Sequence, residues 1–225
     1  MMHLSTPPVL ANPTVETCLS LPDFHPSTRS MFKRWLDILG GLVGLLILAI
    51  AFVPIAIAIK LDSDGPIFYA QERYGLHGRP FKIRKFRSMV VNAEVLKAQI
   101  KNEAKGLIFK NENDPRVTRI GRFLRKTSLD ELPQFWNVVM GEMSLVGTRP
   151  PTFDEVIHYN DYHWQRLNVK PGLTGVWQVS GRSTVKDFEQ VVALDLNYQN
   201  QWHPLYDLQI ILKTVQVVLT KTGAC

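Results

Sequence analysis

Cysteine is scarce in this chain of 225 residues, with only Cys18 and Cys225, near opposite ends. Two such residues frame no disulfide scaffold and match no thiolate metal spacing, so a reducing compartment is the default. The histidines (His3, His25, His77, His158, His163 and His203) form no H-E-x-x-H pair. His158 and His163, five apart, are badly placed to share a helix face and read as surface or interface residues. There is no G-x-x-x-x-G-K-[ST], which removes the P-loop enzymes, and no G-x-S-x-G elbow. No internal repeat is visible. The first residues lack a basic start, an early apolar stretch and a small-residue cleavage site, so no signal peptide is expected.

Charge of one sign is in excess. The net charge is +6, which suits an anionic partner: nucleic acid, a phosphate-bearing substrate or an anionic membrane face. Residues 1–29 hold Pro7, Pro8, Pro13, Pro22 and Pro26 and show no apolar period; a disordered tail is expected there. Residues 30–60 carry the greasy part, KRWLDILGGLVGLLILAIAFVPIAIAIK, uncharged from Ile38 to Ile59. As a helix this stretch is roughly 33 Å long, enough for a hydrocarbon core of ~30 Å. Two features argue against a plain span. Pro54 removes a backbone bond and favours a break. Lys33 and Arg34 before the run and Lys60 after it put positive charge at both ends, where a spanning helix is biased to one side. A span and a hairpin returning to the same face both stay open at this point.

Residues 66–89 read as a β-hairpin around a Gly75–Gly78 turn, with Phe81 and Ile83 alternating with Lys82 and Arg84. A polar helix is expected over 90–104, then a loop to Pro115. From Val117 a helix resumes, with Arg116, Arg119, Arg122 and Arg125 three apart and Ile120, Phe123 and Leu124 on its apolar side. A helix over about 152–167, a glycine-rich structured loop over 170–183 and a helix around 185–200 follow. A last helix bears Leu208, Ile211, Leu212, Val215, Val218 and Leu219 on one stripe, which reads as core packing. The five tryptophans read mostly as core, with Trp35 as the interfacial anchor.

The chemistry concentrates in TSLDELPQFWN, residues 127–137. Ser128 and Glu131 make an S-x-x-E capping box, but Pro133 would then fall inside the helix, where its missing N–H is needed. With Asp130 as the cap, Pro133 lies in the first turn and the acid pair sits at the positive end of the helix dipole, which keeps carboxylates ionised. That suits a nucleophile or a metal ligand; a dull helix start remains the alternative. Lys85, Arg125 and Arg149 supply cations around the pair. Phosphoryl transfer needs such a set, because substrate phosphates repel an anionic attacker. A carboxylate can attack phosphorus directly, and hard oxygens suit Mg2+.

The order of K-R-x-x-D, a proline-broken greasy segment, KFRSM, DPRVTRIGRFLRKTSLDELPQFWNV, MSLVGTRPP, KPGLTGVWQVSGRS and a terminal KTG-A resembles the bacterial sugar transferases, the monotopic polyprenyl-phosphate phosphoglycosyl transferases. The likeness covers about residues 31–225. It implies an α+β, mainly helical fold: a re-entrant helix-break-helix membrane hairpin broken at Pro54, then a catalytic domain over 61–225 at the cytoplasmic face of the bacterial inner membrane. It also implies transfer of a sugar phosphate from a UDP-sugar to undecaprenyl phosphate with release of UMP. On this likeness Asp130 is the nucleophile and the Mg2+ site, and Glu131 is its dyad partner. Lys85, Arg125, Arg149 and Arg122 serve the phosphates; Gln178 and Arg182 serve the nucleotide sugar or their own loop. The VWQVSGR stretch leans toward hexose phosphates. Expected partners are the UDP-sugar, undecaprenyl phosphate and inner-membrane lipids, with a homodimer left open and no nucleic acid. Two departures stand out: Val53 precedes Pro54 where the family has Ser, and Thr148 replaces a Pro before Arg149, which implies a looser loop. The rival readings are a scaffold that binds acidic lipids, which needs no acid pair, and a membrane phosphohydrolase with water as acceptor.

Overall fold

The structure is a computed structural model and describes residues 24–181 and 185–220. The tail expected over 1–23 lies outside the described residues. Residues 24–29 are folded, which corrects the expectation for that end of the tail. Helix α1 (Pro26–Arg29) is a single turn, and His25 beside it bonds the Gln199 carbonyl at 3.0 Å.

Helix α2 runs unbroken from Met31 to Asp62, roughly 48 Å. Ser30 caps its start, accepting from Lys33 N. Pro54 lies inside the helix and does not split it into two segments. A proline deletes one donor, and here the residues on either side of it are held by packing. The contact stripe has helical spacing: Lys33, Leu36 and Asp37, then the glycines 40, 41 and 44, then Leu48, Phe52, Ile55 and Ile59. A Cβ on Gly44 would sit 2.2 Å from the Phe135 ring, so the glycines let the helix lie close to the body. The stripe continues past Pro54, through Ile55 and Ile59, onto a core shared with Phe86, Leu124 and Leu132.

The charges that open α2 correct the sequence reading. Lys33 is buried, donating to Asp207 Oδ2 at 2.7 Å and to the Val146 carbonyl at 2.8 Å. Asp37, also buried, accepts from Ser144 Oγ and Leu145 N, both at 2.8 Å. Arg34 donates to the Val138 and Val139 carbonyls. These groups fasten the helix to the body. At the other end Arg87, buried, donates to the Ser63 and Asp64 carbonyls at 2.6 Å each.

Strands β1 (Phe68–Tyr74) and β2 (Pro80–Phe86) pair antiparallel with Phe68 opposite Phe86, as the alternation predicts. Phe81 and Ile83 enter the main core, while Phe86 enters the α2 core. The polar helix expected over 90–104 shrinks to α3 (Ala93–Leu96) and one 3-10 turn to Gln99. Helix α4 (Arg119–Lys126) starts at the Thr118 cap. Arg116 lies before it, buried and paired with Asp114 at 2.7 Å, and Phe123 is exposed. After α5 (Gln134–Met140) the strand β3 (Ser144–Val146) pairs parallel with β4 (Gly172–Thr174). Strand β4 and helix α8 (Val176–Val179) replace the expected loop. A Cβ on Gly172 would lie 2.1 Å from Gly147 N, so the glycines of that stretch serve close backbone pairing. The single helix expected over 152–167 is divided into α6 (Phe153–Val156) and α7 (Asp161–Trp164), because Asn160 and His163 form a capping box that restarts it. His163 is buried and bonds Glu189, so it is no surface residue. Helices α9 (Phe188–Gln201) and α10 (Pro204–Thr220) close the fold.

Two packing expectations hold only in part. Of the predicted stripe Ile211 packs against the main core, but Leu212, Val215 and Val218 are exposed, and the inner edge of α10 carries Asp207, Ile210 and Thr214. Polar groups take the inner edge because each has a partner there: Asp207 has Lys33, and Thr214 has Thr174 at 2.7 Å. Of the tryptophans expected in the core, Trp177 and Trp202 pack against it while Trp136 and Trp164 are exposed; Trp35, expected outside the core, is exposed too.

Candidate active site

The site begins with a reversal. Helix α4 ends at Lys126 with Thr127 as its cap, and Ser128 takes left-handed angles, φ 56° and ψ 16°. Its side chain caps nothing. What looks like the serine of a starting signal is the left-handed residue that stops the preceding helix, a place where glycine or asparagine is usual. Asp130 does not cap either. The pair lies in a 3-10 turn, Leu129–Glu131, and α5 begins after Pro133. Both capping expectations are thereby corrected; Pro133 precedes the helix and removes no bond from it.

The turn sets Leu129 and Leu132 into the α2 core and leaves the acids against the end of β2. Asp130 is buried, at 5% exposure. Glu131 Oε1 accepts from Lys85 Nζ at 2.8 Å, with side chains 13% and 26% exposed. Arg125 Nε donates to Ser88 Oγ at 2.9 Å. Ser88 is also the floor under α4, since a Cβ on Gly121 would meet its carbonyl oxygen at 2.0 Å. The KFRSM segment thus divides its work: Lys85 to the acids, Arg87 to the end of α2, Ser88 to Arg125. Sequence reasoning missed Arg87 and Ser88, although both stand in the quoted motif.

Arg149 belongs to a second centre. It grips Glu155 through two bonds, at 2.7 and 3.0 Å, and its guanidinium stands 6.0 Å from the Trp177 ring. Arg166, fully buried, bonds Asp195 at 2.6 Å and the Arg149 carbonyl at 3.2 Å. Thr148 is buried and donates to the Arg166 carbonyl at 3.0 Å. This fastens the loop and corrects the expectation that a threonine there loosens it. Gln178 bonds the Leu173 carbonyl within its own turn. Arg122 is exposed on α4, and Arg182 lies outside the described residues.

Burial raises the Glu155 carboxyl, but Arg149, with Arg73 and Arg166, outweighs burial and holds it below its ordinary value of 4.5. A depressed carboxylate contributes stability above the unfolded value and loses it as pH falls through the folded one. Acid unfolding below about pH 4.5 is therefore expected to be less steep in Glu155→Gln than in the parent, with the variant less stable at pH 7. Midpoints measured from pH 3 to 7 check this; parallel curves would remove the linkage.

Among the described residues no group of three or more His, Cys, Asp or Glu is placed to hold a metal. The acid pair offers hard carboxylate oxygens. Mg2+ asks for one or two such carboxylates when substrate phosphates and water complete its shell, so the donor set fits.

Comparison with known proteins finds several similar chains. The galactosyl transferase CpsE of Streptococcus agalactiae serotype III is 50% identical over 203 residues, 89% of this chain and 45% of that protein. The undecaprenyl-phosphate galactose phosphotransferase of Salmonella typhimurium is 44% identical over 198 residues, 85% of this chain and 41% of that one. The exopolysaccharide production protein ExoY of Sinorhizobium fredii is 40% identical over 198 residues, 85% of this chain and 87% of its own. The chain thus spans less than half the length of the first two. A family model described as bacterial sugar transferase matches residues 28–221, and the chain belongs to that family.

Proposed function

We propose that this chain transfers a sugar phosphate, with a hexose as the sugar, from a UDP-sugar to undecaprenyl phosphate, an early membrane step of exopolysaccharide synthesis. The observation that carries the reading is the buried Asp130 in a turn whose next residue is paired to Lys85. An Asp130 oxygen attacks the sugar-bearing phosphorus; the new O–P bond replaces the P–O bond to UMP, which leaves with the electron pair. An oxygen of undecaprenyl phosphate then attacks the same phosphorus and returns Asp130 as carboxylate. Lys85 offsets the charge of Glu131, so that the approaching diphosphate meets a weaker repulsion. Mg2+ held by Asp130 and the substrate phosphates would supply further charge neutralisation.

Helix α2 is long and apolar enough to cross a membrane. Its packing favours another placement. Both ends and one face are bound to the same body, while Leu39, Leu42, Val43, Leu46, Ile47, Ile50, Val53, Ile57 and Leu61 are exposed on the rest of its surface. Leaving nine such side chains in water forgoes on the order of 10 kcal/mol of burial, comparable to the whole stability of a domain, about 5–15 kcal/mol. Lipid covers this face in our reading: α2 enters one leaflet without crossing and holds the body at the cytoplasmic surface, with Trp35 at headgroup level.

Full-length protein in lipid nanodiscs with Mg2+, undecaprenyl phosphate and UDP-galactose or UDP-glucose is expected to give UMP and a lipid-linked diphosphate sugar. UMP with free sugar phosphate would make it a hydrolase. No UMP from any UDP-sugar would leave a lipid-binding scaffold.

A further inference from the structure

From Leu129 to Met140 the backbone runs as one right-handed stretch: the 3-10 turn, then Leu132 (φ −51°, ψ −39°) and Pro133 (φ −62°, ψ −17°), then α5. In such a stretch residues three and four apart share a face. Gln134 stands four residues after Asp130 and three after Glu131, and Asn137 follows it by three. Glu131 has Lys85. Asn137 is bonded to β2 twice, accepting from Arg84 N at 3.3 Å and donating to the Lys82 carbonyl at 2.8 Å. Gln134, between them, is 3% exposed, and its Nε2 is closed to water and meets no acceptor among the described residues. A buried donor without a partner costs stability, and leucine would fill this position without that cost. The fold gives no reason for the amide.

We propose that Gln134 is a positioning residue for Asp130: its amide N–H donates to the Asp130 carboxyl while that carboxyl carries the phosphosugar. The idea rests on the reaction proposed above. Attack turns one Asp130 oxygen into the bridge to phosphorus and leaves the other as a carbonyl. In the resting fold Gln134 Nε2 meets no acceptor among the described residues; a turn of its side chain brings this donor, four residues along the same face, to that carbonyl, where it fixes the line on which the lipid phosphate must arrive. It also stabilises the negative charge that returns to the carboxylate as the bridge breaks. The second half of the reaction, transfer to lipid, is where its absence should be felt.

The test uses Gln134→Leu and Gln134→Met in the full chain, with parent and Asp130→Asn as controls. With UDP-sugar alone, both apolar variants are expected to form the covalent adduct. On adding undecaprenyl phosphate, transfer should be roughly 10- to 100-fold slower than in the parent, with kcat/KM for the UDP-sugar unchanged because the first half-reaction is untouched. Their thermal midpoints should be no lower than the parent's, because no bond of the resting fold is lost. Transfer within twofold of the parent overturns the assignment. So do lower midpoints in both variants, or a kcat/KM for the UDP-sugar that falls with the loss of rate. A parent enzyme that forms no adduct removes the underlying reaction as well, which separates that failure from this one.

Discussion

Asp130→Asn is expected to lower UMP release by at least about a thousandfold, the scale seen when a nucleophile is removed, and to leave membrane binding and the folded state intact. The amide has the shape of the acid but cannot form the phosphoryl ester on which both halves depend. Asp130 is buried, and its neighbours Leu129 and Leu132 lie in the α2 core, so an isosteric change keeps the turn. Intact-protein mass spectrometry after mixing with UDP-sugar should show the phosphosugar mass on the parent and none on the variant. Near-normal UMP release from Asp130→Asn, or an adduct mapped to another side chain, would end the nucleophile assignment. Glu131→Gln should be milder, since Lys85 remains to meet the phosphates.

Arg166→Met is expected to be the most damaging change outside the site. Arg166 and Asp195 are both buried and paired at 2.6 Å, and the guanidinium also holds the Tyr159 hydroxyl and the Arg149 carbonyl. Removing one partner of a buried pair strands the other, at about 3–5 kcal/mol. At ~2–4 °C per kcal/mol for a chain of this size, the midpoint should fall by roughly 6–20 °C. Adding Asp195→Leu should recover part of the loss, because the stranded charge goes with it. A single variant within about 2 °C of the parent would mean the pair adds little.

The sequence was most legible where a period is long or a motif is local. The alternation of Phe81 and Ile83 with Lys82 and Arg84 predicts the hairpin, and the residues around 185–200 give α9. The acid pair and Lys85 were both legible, and the structure joins Lys85 to Glu131. Three-residue strands have no period, so β3 and β4 could not be read; their pairing depends on Gly147 and Gly172 meeting across 24 intervening residues. The S-x-x-E signal misled because a left-handed serine ends one helix where a capping serine would begin another. Lys33 and Arg34 misled for a different reason: a positive charge before an apolar run looks the same whether it meets lipid headgroups or a buried aspartate on a distant helix.

The buried fastening of α2 leaves no slack between the greasy surface and the reaction centre. Lys33 and Asp37 at one end and Arg87 at the other hold it to the body. With lipid on the exposed face of α2, as proposed, a change in bilayer thickness or headgroup packing would be met by tilting or sinking the whole body, since no linker can absorb it. Turnover should accordingly depend on the lipid that surrounds the protein even when both substrates are saturating.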